Sequence, residues 1–134
     1  MFMLENPNLP IIAVLAFHAI VFLQSGIDKI VNWKGNLEFI TQTLSKVFSN
    51  PLIKIALLAV TVLETLGGLF STLGIFLNIF NYDYLLYAQI GLSLCTSALL
   101  ILLIGQRISQ NYEGAKTIAI YFVTSLIGLI LVFS

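Results

Sequence analysis

Long, nearly unbroken runs of apolar residues dominate the chain, and its charged residues gather in the stretches between them. Ile11 to Leu23 is apolar apart from His18, and polar residues return at Gln24, Ser25, Asp28 and Lys29. Such runs, in place of alternation or a single amphipathic stripe, mark segments whose whole circumference meets an apolar medium. Crossing the hydrocarbon layer takes about 20 helical residues at about 1.5 Å each. That length divides the sequence into four predicted spans, at about 10–31, 51–79, 84–104 and 115–133.

Local signals sharpen the boundaries. Pro10 suits a first helical turn, where its missing amide proton costs nothing, and Asn50 followed by Pro51 reads as a capping side chain with proline just inside the helix. The second span exceeds the crossing length, so it must tilt or project from the bilayer. Short links at Asn78 to Asp83 and Gly105 to Gly114 force antiparallel neighbours. The expected fold is therefore all-α: one domain over residues 1–134, an integral membrane four-helix up-down bundle. Residues 33–49 differ in pattern, with Trp33, Leu37, Ile40, Leu44, Val47 and Phe48 at helical spacing among polar neighbours. They predict a short amphipathic interfacial helix between spans one and two, its indole in the headgroup layer; the alternative is an ordinary folded loop.

Composition agrees. Of 134 residues, 59% are apolar and 9% charged, against about a quarter charged in a soluble domain. Net charge is zero and no basic cluster is present, which argues against a nucleic-acid partner. The single cysteine, Cys95, lies inside an apolar run, so no disulfide can form within the chain and a small core residue is expected there. Met1 to Pro10 has no lysine or arginine ahead of the first run and no small-residue cleavage site follows it, so no cleaved signal peptide is expected. Charge also sets orientation. Lys29, Lys34, Lys46, Lys54, Arg107 and Lys116 all fall on one side, which predicts both long connections in the cytoplasm and both termini, with the Asn78 to Asp83 turn, outside.

Ionisable groups inside a bilayer cost at least a few kcal/mol unless paired, which makes His18, Asp28 and Glu64 the candidates for function. His18 is 11 residues from Lys29 and Glu64 is 10 from Lys54, so counting inward from those lysines places both about 15 Å deep. They are expected to face each other as a proton-exchanging pair, the candidate catalytic and ligand-binding groups. Thr61, Cys95 to Ser97, Thr124 and Ser125 reach a similar layer and outline a small polar pocket. Glu64 shares a helix face with Gly67, Gly68, Ser71 and Gly74, small residues that admit a close neighbour and turn the acid into the bundle. There it either takes part in chemistry or stays protonated and bonds a neighbouring helix. Asp28 and Lys29 stand at the cytoplasmic rim, where they can snorkel to water or pair with Arg107 or Lys54; Arg107 itself can meet a lipid phosphate or ligand headgroup, or simply form a solvated turn. One histidine and one cysteine cannot supply bis-histidine haem ligation, a thiolate cluster or HExxH, and no glycine-rich phosphate loop or Ser-His-Asp set occurs. No metal is expected.

Phe22-Leu-Gln-Ser-Gly-Ile-Asp-Lys29 with the Trp33 loop, and Glu64-Thr-Leu-Gly-Gly68 leading to Gly74, resemble the DoxX family. The similarity covers most of the chain in segment order and length. It implies a small four-helix protein of the bacterial cytoplasmic (inner) membrane, a subunit or accessory of a quinone-linked oxidoreductase, with quinone as a non-covalent cofactor and oxidoreductase subunits as partners. It also implies roles for Gly26, Lys29, Glu64, Gly67 and Gly68, of which only Gly26 is added to those picked out above. A more distant likeness is to eukaryotic four-helix sterol-isomerase and lipid-binding proteins, which implies a binder or isomerase of a lipophilic ligand. Departures are the absence of basic residues before the first span, so that orientation rests on this chain's own charges, and of the paired cysteines of the methylamine-utilisation branch, which counts against a thiol relay. A structural assembly factor without chemistry is the third expectation, and Ser93 with Ser97 offers a face for self-association.

Overall fold

Five helices carry most of the chain in the computed structural model, which describes residues 8–81 and 84–134. They are α1 (Leu9–Val31), α2 (Trp33–Leu44), α3 (Asn50–Phe80), α4 (Leu86–Ile108) and α5 (Tyr112–Phe133), and no strand forms among the described residues. α1, α3, α4 and α5 are each long and apolar enough to cross a membrane. Their outward faces are apolar as well: Leu58, Val62 and Leu69 on α3, and Ile120, Val123, Ile127 and Ile130 on α5, stand exposed. Such a surface is at home in lipid and not in water, so this is a multi-pass membrane protein.

The helix ends depart from expectation in instructive ways. Pro10 does sit in the first turn of α1. At α3 the cap is Ser49, not Asn50: Ser49 is extended and its side chain accepts from the Leu52 amide, while Asn50 is already helical. α5 starts at Tyr112, ahead of the expected position, because the Asn111 side chain caps the Gly114 amide at 3.0 Å. α4 runs on through Gly105 to Ile108, since nothing in Gly105-Gln106-Arg107 stops a helix already formed. The predicted turn at Asn78 to Asp83 lies partly outside the described residues, as does the Met1 to Pro10 segment.

Small residues decide how the spans meet. A Cβ added at Gly91 would stand 2.7 Å from the Ser71 backbone nitrogen, one at Gly67 2.7 Å from Cys95 Sγ, and one at Gly74 3.1 Å from the Ala88 nitrogen. The α3 and α4 backbones therefore approach where those side chains are missing, running antiparallel. α1 meets α3 in the same way, with Gly26 against Thr65 and Gly68 against Leu23. α5 closes on α4 and α1, where Gly128 admits Val14 and Leu92.

The α1–α3 pairs also give the register. Gly26 is level with Thr65 and Leu23 with Gly68, so Glu64 lies beside the last turns of α1, near Ile27, and not beside His18. His18 is level with Leu73 by the same register, about 14 Å along the axis from Glu64. The equal-depth estimate fails because α3, 31 residues long, overhangs the end of α1 and carries Lys54 about 12 Å beyond the level of Lys29. α2 packs beside this overhang. The helix stops at Leu44, short of the expected residue 49, and no residue of it is fully buried.

Candidate functional site

Two buried ionisable groups anchor two separate layers. His18, 0% exposed, stacks on Phe22 with ring centroids 5.6 Å apart. Its Nδ1 lies 2.8 Å from the Val14 carbonyl and its Nε2 2.7 Å from Ser125 Oγ. A carbonyl can only accept, so Nδ1 carries the proton and Nε2 meets the serine hydroxyl. Both ring nitrogens are thus occupied, and the expected pairing of His18 with Glu64 does not form. The register explains why: α5 supplies Ser125 at the level of His18, and α3 supplies Glu64 at the level of Lys29.

Glu64 is 2% exposed, and Lys29 Nζ lies 2.8 Å from its Oε1. The same ammonium donates to Ser25 Oγ at 2.6 Å. Lys29 therefore does not snorkel to the surface; its four-carbon stem folds back along α1 and its side chain is only 12% exposed. Lys29 thus gives Oε1 a charged partner at ion-pair distance, and no other donor reaches this oxygen among the described residues. A carboxylate oxygen can accept more than one hydrogen bond, so Oε1 has capacity for a second donor beside the ammonium.

The setting of Glu64 supplies room for one. A cavity of about 470 Å³ opens beside it, bordered by Gln24, Ser25 and Asp28 of α1 and by Tyr121 of α5. Phe22, Leu99 and Leu102 form part of its apolar wall. Asp28 is exposed at the rim, where Asn36 Nδ2 approaches it at 3.5 Å. The cavity thus runs from an exposed carboxylate to a buried one, both on helices that a membrane would enclose.

Other expected site residues are placed elsewhere. Arg107 is exposed in the last turn of α4, its guanidinium 5.0 Å from the centre of the Tyr112 ring, and does not border the Glu64 cavity. Thr61, Thr96, Ser97 and Thr124 each donate to a carbonyl of their own helix, so they do not build the expected polar pocket. Back-bonding of this kind is how a hydroxyl disposes of its proton without a partner helix. Cys95 is buried against Gly67, in the tight α3–α4 seam with Gly91 and Ser71. Gly26, Gly67, Gly68, Ser71 and Gly74 all lie in helix contacts. Tyr121 and Gln24 were missed by sequence reasoning. Tyr121 sits within an apolar run, and only its separation from Ile118 by three residues could have hinted at a shared inward face. Among the described residues no cluster of three or more His, Cys, Asp or Glu side chains could hold a metal.

Comparison of the chain with protein-family models, with curated proteins and with solved structures gives no significant match.

Proposed function

We propose that this chain is a DoxX-like subunit or accessory protein of a quinone-linked oxidoreductase in the bacterial inner membrane, and that its Glu64 cavity receives the head of a quinone or quinol. One observation carries this reading. A buried carboxylate, ion-paired at Oε1 to Lys29 and met there by no other donor among the described residues, borders a cavity that gathers Gln24, Ser25, Asp28 and Tyr121 in a mostly apolar chain. A quinol hydroxyl can donate to this carboxylate beside Lys29, and a quinone carbonyl can accept from the Lys29 ammonium or the Tyr121 hydroxyl. Charge on Glu64 and Lys29 is tolerated inside a bilayer because each offsets the other. Electrons come from a partner protein; this chain binds and orients.

In this reading the four spans form an up-down bundle, with α2 lying in the headgroup layer. The six basic residues face the cytoplasm. Asp28 then stands at the cytoplasmic mouth of the cavity, and both termini lie outside.

Purification in mild detergent, with mass spectrometry of extracted lipids, tests it. Quinone or quinol should accompany the wild-type chain in near-equal amount and be lost from E64Q, together with a co-purifying oxidoreductase polypeptide. A chain that runs alone with no quinone would sink the proposal. Retention of a different lipophilic molecule, lost in E64Q, would favour a binder or isomerase. An E64Q variant unchanged in ligand and phenotype would favour a purely structural role.

A further inference from the structure

A second cavity, of about 330 Å³, lies between α2, α3 and α4. Its walls are apolar: Ile40 and Leu44 of α2, Ala56 and Val60 of α3, Ile101 and Gly105 of α4. Gln106, Ser109 and Asn111 form a polar rim at one end. Gly105 keeps part of it open, since a Cβ there would meet nothing nearer than Leu44 Cδ1 at 4.0 Å.

This groove adjoins the Glu64 cavity across one side chain. Leu102 borders both, and Val60 of the groove is one helical turn from Glu64 on α3. The cavity holds the ionisable groups, and the groove is apolar except for Thr43 and its rim, which is the division of a molecule with a hydrogen-bonding head and an alkyl tail. A leucine side chain is the only residue the two spaces share, and leucine changes rotamer at small cost.

We propose that the two spaces are one site for a single-tailed amphiphile: the head meets Glu64, and the tail passes between α3 and α4 beside Leu102 into the groove under α2. The inference rests on the Glu64 cavity as a head-group site, and adds the route and class of the tail. Membership of the bilayer alone would not place the tail there, because lipid chains are as apolar as the groove; what fixes it is the position of the head.

The test uses trimethylhydroquinone and a derivative carrying a decyl tail ended by a photoreactive diazirine, with the full chain in lipid nanodiscs. The tailed probe should label the groove segments, residues 39–60 and 101–111. Excess tail-less trimethylhydroquinone should reduce that labelling about tenfold, and so should E64Q. Gly105→Leu, whose Cβ would meet nothing nearer than Leu44 Cδ1 at 4.0 Å, should move the label out of the groove while competition by the tail-less compound persists; Ala56→Phe provides a second obstruction on the facing helix. Competed, Glu64-dependent labelling outside the groove would overturn the tail route and leave the head-group site standing. Groove labelling that excess trimethylhydroquinone does not reduce would mean that the groove takes any alkyl chain of the bilayer, which also overturns the proposal. Trimethylhydroquinone that neither competes nor binds the wild-type chain would overturn the head-group reading itself.

Discussion

His18 and Glu64 are both buried ionisable side chains on membrane-spanning helices, and the structure treats them in opposite ways. His18 is closed off: one nitrogen faces Val14, the other Ser125, and Phe22 covers the ring. Glu64 is held by an ion pair to Lys29, and it faces a cavity. Burial of a titratable group inside a membrane protein is thus a weak sign of function taken alone. The stronger sign is a buried charged group that borders a cavity.

The largest expected effect separates the two layers by charge. Lys29→Met removes the partner of a buried carboxylate and should cost about 3–5 kcal/mol of stability, read as detergent-solubilised unfolding; adding Glu64→Gln in the same chain should recover most of it. A Lys29→Met loss no greater than about 1 kcal/mol would mean that the pair is not buried as a charged unit, and would remove the contrast. In the other layer, Ser125→Ala leaves His18 Nε2 without its partner and should cost about 1–3 kcal/mol. Pairing it with His18→Phe, similar in ring shape, should restore part of the loss, and neither change should alter ligand retention. Retention that falls with Ser125→Ala would show the His18 layer to be functional after all. Smallest of all, Asp28→Asn at the exposed rim should shift stability by no more than about 0.5 kcal/mol, because water already solvates the carboxylate.

The spans were legible because hydrophobic length is a local property: each run of apolar residues specifies a crossing helix by itself. The face of Gly67, Gly68, Ser71 and Gly74 was legible for a similar reason, helical periodicity placing them on one side. The amphipathic pattern of residues 33–49 gave α2 its place but not its end, since Val47 and Phe48 continue the spacing after the helix has stopped. Polar residues were harder to place. Thr61, Thr96 and Thr124 looked like material for a pocket, but a hydroxyl on a helix can always turn back to its own backbone. Tyr121 lies within an apolar run of the sequence, and only the packing of α5 against α1 and α4 turns it toward Glu64's cavity.

The chain alone determined that there are crossing helices, roughly where they begin and end, and which residues within them are ionisable. Which of those residues meet was decided by the tertiary structure. Counting inward from Lys29 and Lys54 assumes that the two lysines are level, and nothing in either helix states its offset from the other. That offset is set where Gly26 admits Thr65 and Gly68 admits Leu23. A contact between backbones slides α3 past α1 by about 12 Å, gives Lys29 to Glu64 and leaves His18 to Ser125.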